Sequence, residues 1–247
     1  MQETLNINNT SNFCDFLGAA LQVNNCHKFI INKDGCNISV IDANSTVRAF
    51  INTKSITSKN EITFCLNESL KLRKCLLKIQ DLNKEFKEID LGYDGTFLTF
   101  NNSGFKFKLS TIKEKVIQRF VSNSLSRELD SVCSVNFTPM IAKQVLSLSN
   151  ICSSDAVKLY FYKEGDQIIV ELDDKSYEYT DSITIPISKD FKGQWLNSFS
   201  IKLETFQLFN IIKTDKIEMN LSSINALDVK AENDDCDIRI IASLIKA

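Results

Sequence analysis

Residues 61–79 read EITFCLNESLKLRKCLLKI, and this stretch decides the fold. Glu61–Leu66 is rich in β-branched and aromatic residues and predicts a strand. Asn67 then stands where a helix cap belongs, ahead of a helix over 68–79. Leu72, Leu76 and Ile79 fall on one stripe of that helix, while Asn67, Lys71, Lys74 and Lys78 fall on the opposite one. Three strand-like stretches follow, near 85–91, 96–101 and 105–109. They turn at Asp94-Gly95 and at Asn102-Ser103-Gly104, where the positive φ of a tight turn is readily supplied.

Working outward, the same order of strand, helix and three strands recurs three more times. Upstream, Thr4–Asn8 predicts a strand and 10–22 a helix capped by Thr10 or Ser11. Phe13, Leu17, Ala20 and Leu21 share its apolar face; Asn12, Asp15, Ala19 and Gln22 share the other. Strands follow over 26–32, 36–42 and 46–53, with a turn at Lys33-Asp34-Gly35. Downstream, a strand over 132–138 leads through Thr138-Pro139 into a helix over 139–149. Ile141, Val145 and Leu148 face inward there, and Lys143, Ser147 and Asn150 outward. Strands over 156–163, 167–173 and 177–187 follow, with a turn at Asp173-Asp174-Lys175, and 188–196 reads as a loop. The last copy has a strand over 197–203 and a helix over 204–214 with Gln207, Asn210 and Lys213 on its polar stripe. Strands near 216–222, 226–232 and 236–245 complete it. Residues 110–131 break the rhythm, without Gly or Pro, and read as a connector between two similar domains, 1–110 and 132–247, the connector proper being 111–131. Four helices are too few to cover both faces of a parallel sheet. The expected class is α+β, with antiparallel sheets and helices on one face.

Composition narrows the function. Hydrophobic residues make up 43% of the 247, enough for packed cores. No apolar run approaches the roughly 18 residues of a membrane span. The start of the chain is polar and lacks the layout of a signal peptide, so the expected location is intracellular, with no membrane contact. Net charge is −2 and unevenly placed: residues 132–247 hold 12 Lys and Arg against 17 Asp and Glu, while the rest is slightly basic. A protein so charged does not cling to nucleic acid over its whole surface, so any such contact needs a local basic face. The eight cysteines form no Cys-x-x-Cys pair and the single histidine is His27, so no metal site is expected and the thiols read as reduced core residues. With one histidine, seven glycines, no Gly-rich phosphate loop and no nucleophile elbow, no catalytic residues and no cofactor are expected.

The repeats and connector, with Asn67-Glu68-Ser69-Leu70-Lys71-Leu72-Arg73-Lys74-Cys75 and the run from Ser222 to Lys246, resemble the DNA sliding-clamp family: proliferating cell nuclear antigen, archaeal clamps and phage processivity clamps. The resemblance covers essentially the whole chain. It implies the DNA-clamp fold, two domains each built from two β-α-β-β-β repeats, with sheets outside and helices lining a hole. It further implies a homotrimeric ring around duplex DNA, bound without regard to sequence. Such a ring tethers DNA polymerase and meets the clamp loader through short peptide motifs, at replicating DNA. Two departures stand out: Ala226 and Ile245 fall where the clamps carry prolines in their partner pocket.

The resemblance also nominates residues. Lys71, Arg73, Lys74 and Lys78, with Lys143 and Lys213, would face DNA. A row of lysines opposite an apolar stripe is equally what a solvated surface helix carries. Asp15 and the cation-free first helix make the basic lining patchy. Ile41, Val47, Phe120, Val121, Ala226, Leu244 and Ile245 would line an apolar pocket for partner peptides; the bland alternative is that each is a core or hairpin residue. Two other readings stand beside the homotrimer: a non-ring viral-type processivity factor or a checkpoint-clamp subunit, one of three different subunits, with the same fold, and a structural interaction protein without DNA.

Overall fold

The computed structural model describes residues 2–82, 88–102, 104–121, 129–149, 151, 158–173, 182–195, 198–203, 206 and 217–246, without the side chains of Lys202, Ile245 and Lys246. The chain divides into two compact units, residues 1–125 with 234–237, and residues 126–233 with 238–247.

The first unit contains β1 (Glu3–Ile7), α1 (Thr10–Val23), β2 (His27–Asn32), β3 (Gly35–Ile41), β4 (Val47–Thr53) and β5 (Ile56–Ser58). It continues with β6 (Ile62–Leu66), α2 (Ser69–Leu82), β7 (Ile89–Tyr93), β8 (Phe97–Asn102), β9 (Phe105–Ser110) and α3 (Glu114–Ile117). The strands lie in two antiparallel runs, β5-β1-β7-β8-β9 and β6-β2-β3-β4. Each copy of the repeat thus lends its first strand to the other copy's meander: β1 pairs with β7, and β6 with β2. The two copies are interlocked. Neither can bury its apolar faces alone, so the pair is the folding unit.

The second unit repeats this plan. Its elements are β10 (Ser131–Phe137), α4 (Pro139–Ser149), β11 (Lys158–Glu164), β12 (Gln167–Asp173), β13 (Ile183–Ser188) and β14 (Phe191–Gly193). After them come β15 (Phe199–Lys202), β16 (Ile217–Ser222), β17 (Ala226–Asn233), β18 (Cys236–Ser243) and β19 (Ile245–Lys246). The runs are β14-β10-β16-β17-β18 and β13-β12-β11-β15-β19. Again the first strands are exchanged, β10 onto β16 and β15 onto β11. The α+β class and the antiparallel sheets expected from the repeats are what the chain forms.

In the first unit, α1 lies against α2 and against β3 and β4. Phe13, Leu17, Leu5, Ile7, Phe29, Ile31 and Ile38 are at most 1% exposed. Each such side chain contributes about 1.5–3 kcal/mol by leaving water. In the second unit Phe161 stacks on Phe199 at 4.9 Å, and Phe137 on Phe206 at 6.0 Å.

Several expectations need correcting. The cap of α1 is Asn9, whose side chain accepts from the Asn12 amide at 3.1 Å, rather than Thr10 or Ser11. Thr10 is buried and starts the helix. Ala19, placed by periodicity on the polar face, is 2% exposed, and Phe16 is buried too, because α1 meets a second helix as well as a sheet. The inward face of α4 is Ala142, Val145 and Ser149; Ile141 and Leu148 are only half-buried. The supposed loop 188–196 contains β14, which pairs with β10. Its counterpart β5 pairs with β1 and was equally unforeseen. The connector begins as ordered chain, with Ile112 bridging Cys65 and α3 just beyond. The helix expected over 204–214 lies outside the described residues except for Phe206, and so do Asn150 and Lys213.

Candidate functional site

Two groups of residues were singled out, and the first is the exposed face of α2. That helix buries Ser69, Leu72, Leu76 and Ile79. Its first amides are satisfied from a distance: Ser69 donates to the Asn25 carbonyl at 3.0 Å and Leu70 to Asn25 Oδ1 at 2.9 Å. Asn25, and not Asn67, therefore supplies the side-chain oxygen that an N-terminal turn needs. Opposite the buried stripe, Lys71, Lys74 and Lys78 are exposed. Lys71 pairs with Glu68 one turn earlier. At a surface such a pair holds the lysine weakly.

Arg73 is placed differently. It is half-buried, and its Nε donates to the Cys14 carbonyl of α1 at 2.9 Å. A Cβ on Gly18 would stand 3.2 Å from that Nε, so the guanidinium lies across α1 at the one helical position without a side chain. Arg73 joins two helices; the three lysines project. Lys143 is exposed on α4, beside Met140, which is 68% exposed. Along α1, Ser11 and Gln22 are exposed, and Asn12 and Asp15 are half-buried.

The second group surrounds the start of the connector. Ile41 is buried, and its amide donates to the Phe120 carbonyl at 2.7 Å. Val121 is buried with Ile117 and Cys65, and Cys26, Ile112 and Phe120 close over them. Val47 is half-buried in the β3–β4 turn. Its amide donates to Asp42 Oδ1 at 2.8 Å, and its carbonyl accepts from the Asp42 amide at 3.0 Å. In the second unit, Ala226 and Leu244 are half-buried on either side of Asn225. The Leu244 amide donates to the Asn225 carbonyl at 3.0 Å, and Asn225 holds a φ of 57°. Ile245 pairs with Ser200 through the backbone, and its side chain lies outside the described residues. Within the first unit, then, Ile41, Phe120 and Val121 come together, with Val47 in the adjoining turn.

An ion pair in this region joins a buried lysine to a half-exposed carboxylate. Lys28 in β2 has a side chain 8% exposed, and its Nζ lies 2.8 Å from the Glu114 carboxylate on α3. No local motif marks it, because Lys28 sits in a strand whose pattern tolerates an outward lysine.

Burial governs the titration of the buried thiols and of His27. Burial pushes the thiols of Cys14 and Cys236 up to about 12, and that of Cys65 up to about 11. Cys36 is raised by the same cause. Burial holds His27 down to about 4, opposed in part by the carbonyls of Ala20 and Asn24, though neither ring nitrogen completes a hydrogen bond. Among the described residues no His, Cys, Asp or Glu cluster is arranged to hold a metal ion. No described helix is long and apolar enough to cross a membrane.

No family model matches the chain, and no curated protein sequence matches it. Solved structures do. One is the proliferating cell nuclear antigen (PCNA) of A. fulgidus, bound to the C-terminal region of FEN-1, with a TM-score of 0.72 at 12% identity over 99% of both chains. Another is the proliferating cellular nuclear antigen of Entamoeba histolytica, with a TM-score of 0.71 at 12% identity over 98% of both chains. At this identity the likeness concerns fold, and it extends over practically the full length.

Proposed function

Since the chain has the fold of the sliding clamps, we propose that it is a DNA polymerase processivity factor. It closes as a homotrimeric ring around duplex DNA, inside the cell at replicating DNA, and tethers polymerase and other replication proteins through short peptide motifs. It catalyses no reaction of its own. The observation that carries this reading is the interlocked duplication, present in both units, together with the exposed Lys71, Lys74 and Lys78 on α2.

The physics agrees. A ring that slides must attract phosphates without reading bases, and a few lysines on flexible stems do that. Weak contact suffices, because enclosure rather than affinity retains the DNA. A ring of protomers also needs edges to join. Two of the end strands, β9 and β13, are six residues each. β9 alternates outward Lys106 and Lys108, and β13 carries Pro186; both devices discourage random edge pairing and leave a specific partner edge to complete the sheet. The FEN-1 segment on the A. fulgidus structure supports docking of short partner segments on this fold.

The test joins native mass to topology. Light scattering should give three protomers of 28.0 kDa, and protein loaded on circular duplex should be released when the circle is cut. A monomer or dimer that stays on cut DNA supports the non-ring processivity factor instead. Absence of any DNA association leaves the interaction protein.

A further inference from the structure

The outward face of the connector differs in chemistry from its inward face. Residues 111–121 are strapped to the first unit along one side. Ile112 donates to the Cys65 carbonyl at 2.9 Å, Thr111 to the Thr96 carbonyl at 2.8 Å, and Phe120 accepts from Ile41 at 2.7 Å. Ile117 and Val121 are buried. The one carboxylate of this segment, Glu114, is half-exposed and paired with Lys28 at 2.8 Å. What remains outside is Lys113, Lys115, Val116, Gln118 and Arg119, all exposed, with Val116 65% exposed. Lys113 and Lys115 form no ion pair among the described residues. The Arg119 guanidinium is held over the Phe120 ring at 4.5 Å. The strip is thus three cations around an exposed aliphatic side chain, on a chain whose net charge is −2.

We infer that this strip, Lys113, Lys115, Val116 and Arg119, selects acidic partner peptides that carry an apolar anchor. The inference rests on the tethering role proposed above and names the chemistry of the partner. Pairing of Glu114 with Lys28 offsets its charge and leaves Lys113, Lys115 and Arg119 as the fully exposed charges of the strip, so the ion pair serves specificity as well as anchoring. Complementary charge across an exposed rim mainly speeds encounter and rejects like-charged competitors. Val116, 65% exposed, offers the apolar contact that a peptide can fill. A phosphate backbone has nothing to place there, which favours a peptide over nucleic acid.

The experiment uses the full chain and fluorescence anisotropy at low salt with three labelled probes. These are a short peptide alternating Asp/Glu with Leu/Phe, its counterpart with Lys/Arg at the charged positions, and a short DNA duplex. The acidic peptide should bind about tenfold more tightly than the basic one, and the combined Lys113→Glu, Lys115→Glu, Arg119→Glu variant should invert that preference. Because the three residues are exposed, the variant's thermal midpoint should stay at the wild-type value. Should it fall, the Lys113→Gln, Lys115→Gln, Arg119→Gln variant replaces it and should abolish the preference. Val116→Asp should weaken the acidic peptide alone. Equal binding of the two peptides, a preference unmoved by charge reversal, or displacement of the acidic peptide by the duplex would each overturn the inference. Retention on circular DNA is scored separately, so loss of the peptide preference with retention intact condemns the strip and spares the ring.

Discussion

The Ile41 amide and the Phe120 carbonyl, 79 positions apart in sequence, meet at 2.7 Å. Through that bond the last residue of β3 holds the connector at Phe120 against the first unit. Ile41 thereby takes part in positioning the strap by its backbone, while its side chain is 7% exposed. Substitution of Ile41 by another aliphatic residue should leave the strap in place, because the bond does not depend on the side chain.

Glu114 ties the strap to β2 through its side chain. Removing its charge leaves the Lys28 ammonium, 8% exposed, without the carboxylate 2.8 Å away. Glu114→Gln should cost about 1–3 kcal/mol in urea unfolding. The same variant should speed amide hydrogen exchange across 112–121 more than in β2 or β3. Lys28→Met combined with Glu114→Gln should recover most of the loss, since the buried lysine charge is then removed together with its partner. A double variant no better than Glu114→Gln alone would show that the pair is incidental.

Gly35 sits at a φ of 146° in the β2–β3 turn, and a Cβ there would stand 2.4 Å from the Thr53 carbonyl oxygen. The obstacle is backbone of β4, which cannot swing aside as a side chain would. Gly35→Ala should therefore destabilise by more than the roughly 1 kcal/mol of an ordinary glycine replacement. The urea midpoint measures it, and an unchanged midpoint would mean that β4 yields freely.

Much of this fold was legible because the repeat is written in local signals. Asp34-Gly35, Asp94-Gly95 and Thr138-Pro139 mark boundaries that the chain observes, and Leu72, Leu76 and Ile79 mark a buried stripe. What escaped notice depends on distant partners. Ala19 is buried because α2 lies beside α1, and no periodicity within α1 reports that. The cap of α2 comes from Asn25, 45 residues before Leu70. β14 is three residues long and is held by β10, so its sequence, Phe191-Lys192-Gly193, reads as loop. At the candidate DNA face, spacing separated Lys71, Lys74 and Lys78 from the apolar stripe correctly. It could not show that Arg73, adjacent to that row, reaches sideways to the Cys14 carbonyl.

His27 should make stability fall with acid. It is fully buried, and burial lowers its pKa from 6.5 to about 4. The unfolded chain binds the proton more readily, so stability is full above about pH 6.5 and is lost as pH falls toward 4. The loss is on the order of 3 kcal/mol across that window. His27→Leu should flatten this part of the profile while carboxylate titrations persist in both proteins. Urea midpoints of the two proteins between pH 7.5 and 4.5 give the comparison, and parallel profiles would remove His27 as the cause.

Lys71, Lys74 and Lys78 should act on DNA as a set, and Arg73 should not act with them. Each lysine that meets a phosphate releases a counterion, so each lost contact lowers the slope of log K against log salt by about 0.9. Alanine at all three should reduce the slope by roughly two to three units if all three reach phosphates, and should shorten retention on circular DNA without altering native mass. Lys71 is the weakest member, because Glu68 competes for its ammonium. Arg73→Met should leave the slope unchanged and lower stability by about 1–2 kcal/mol through the lost bond to Cys14. The two variants thus separate a helix that touches DNA from one that is only well packed. A triple-alanine protein with an unaltered slope would assign the lysine row to solvent, whatever the fold around it.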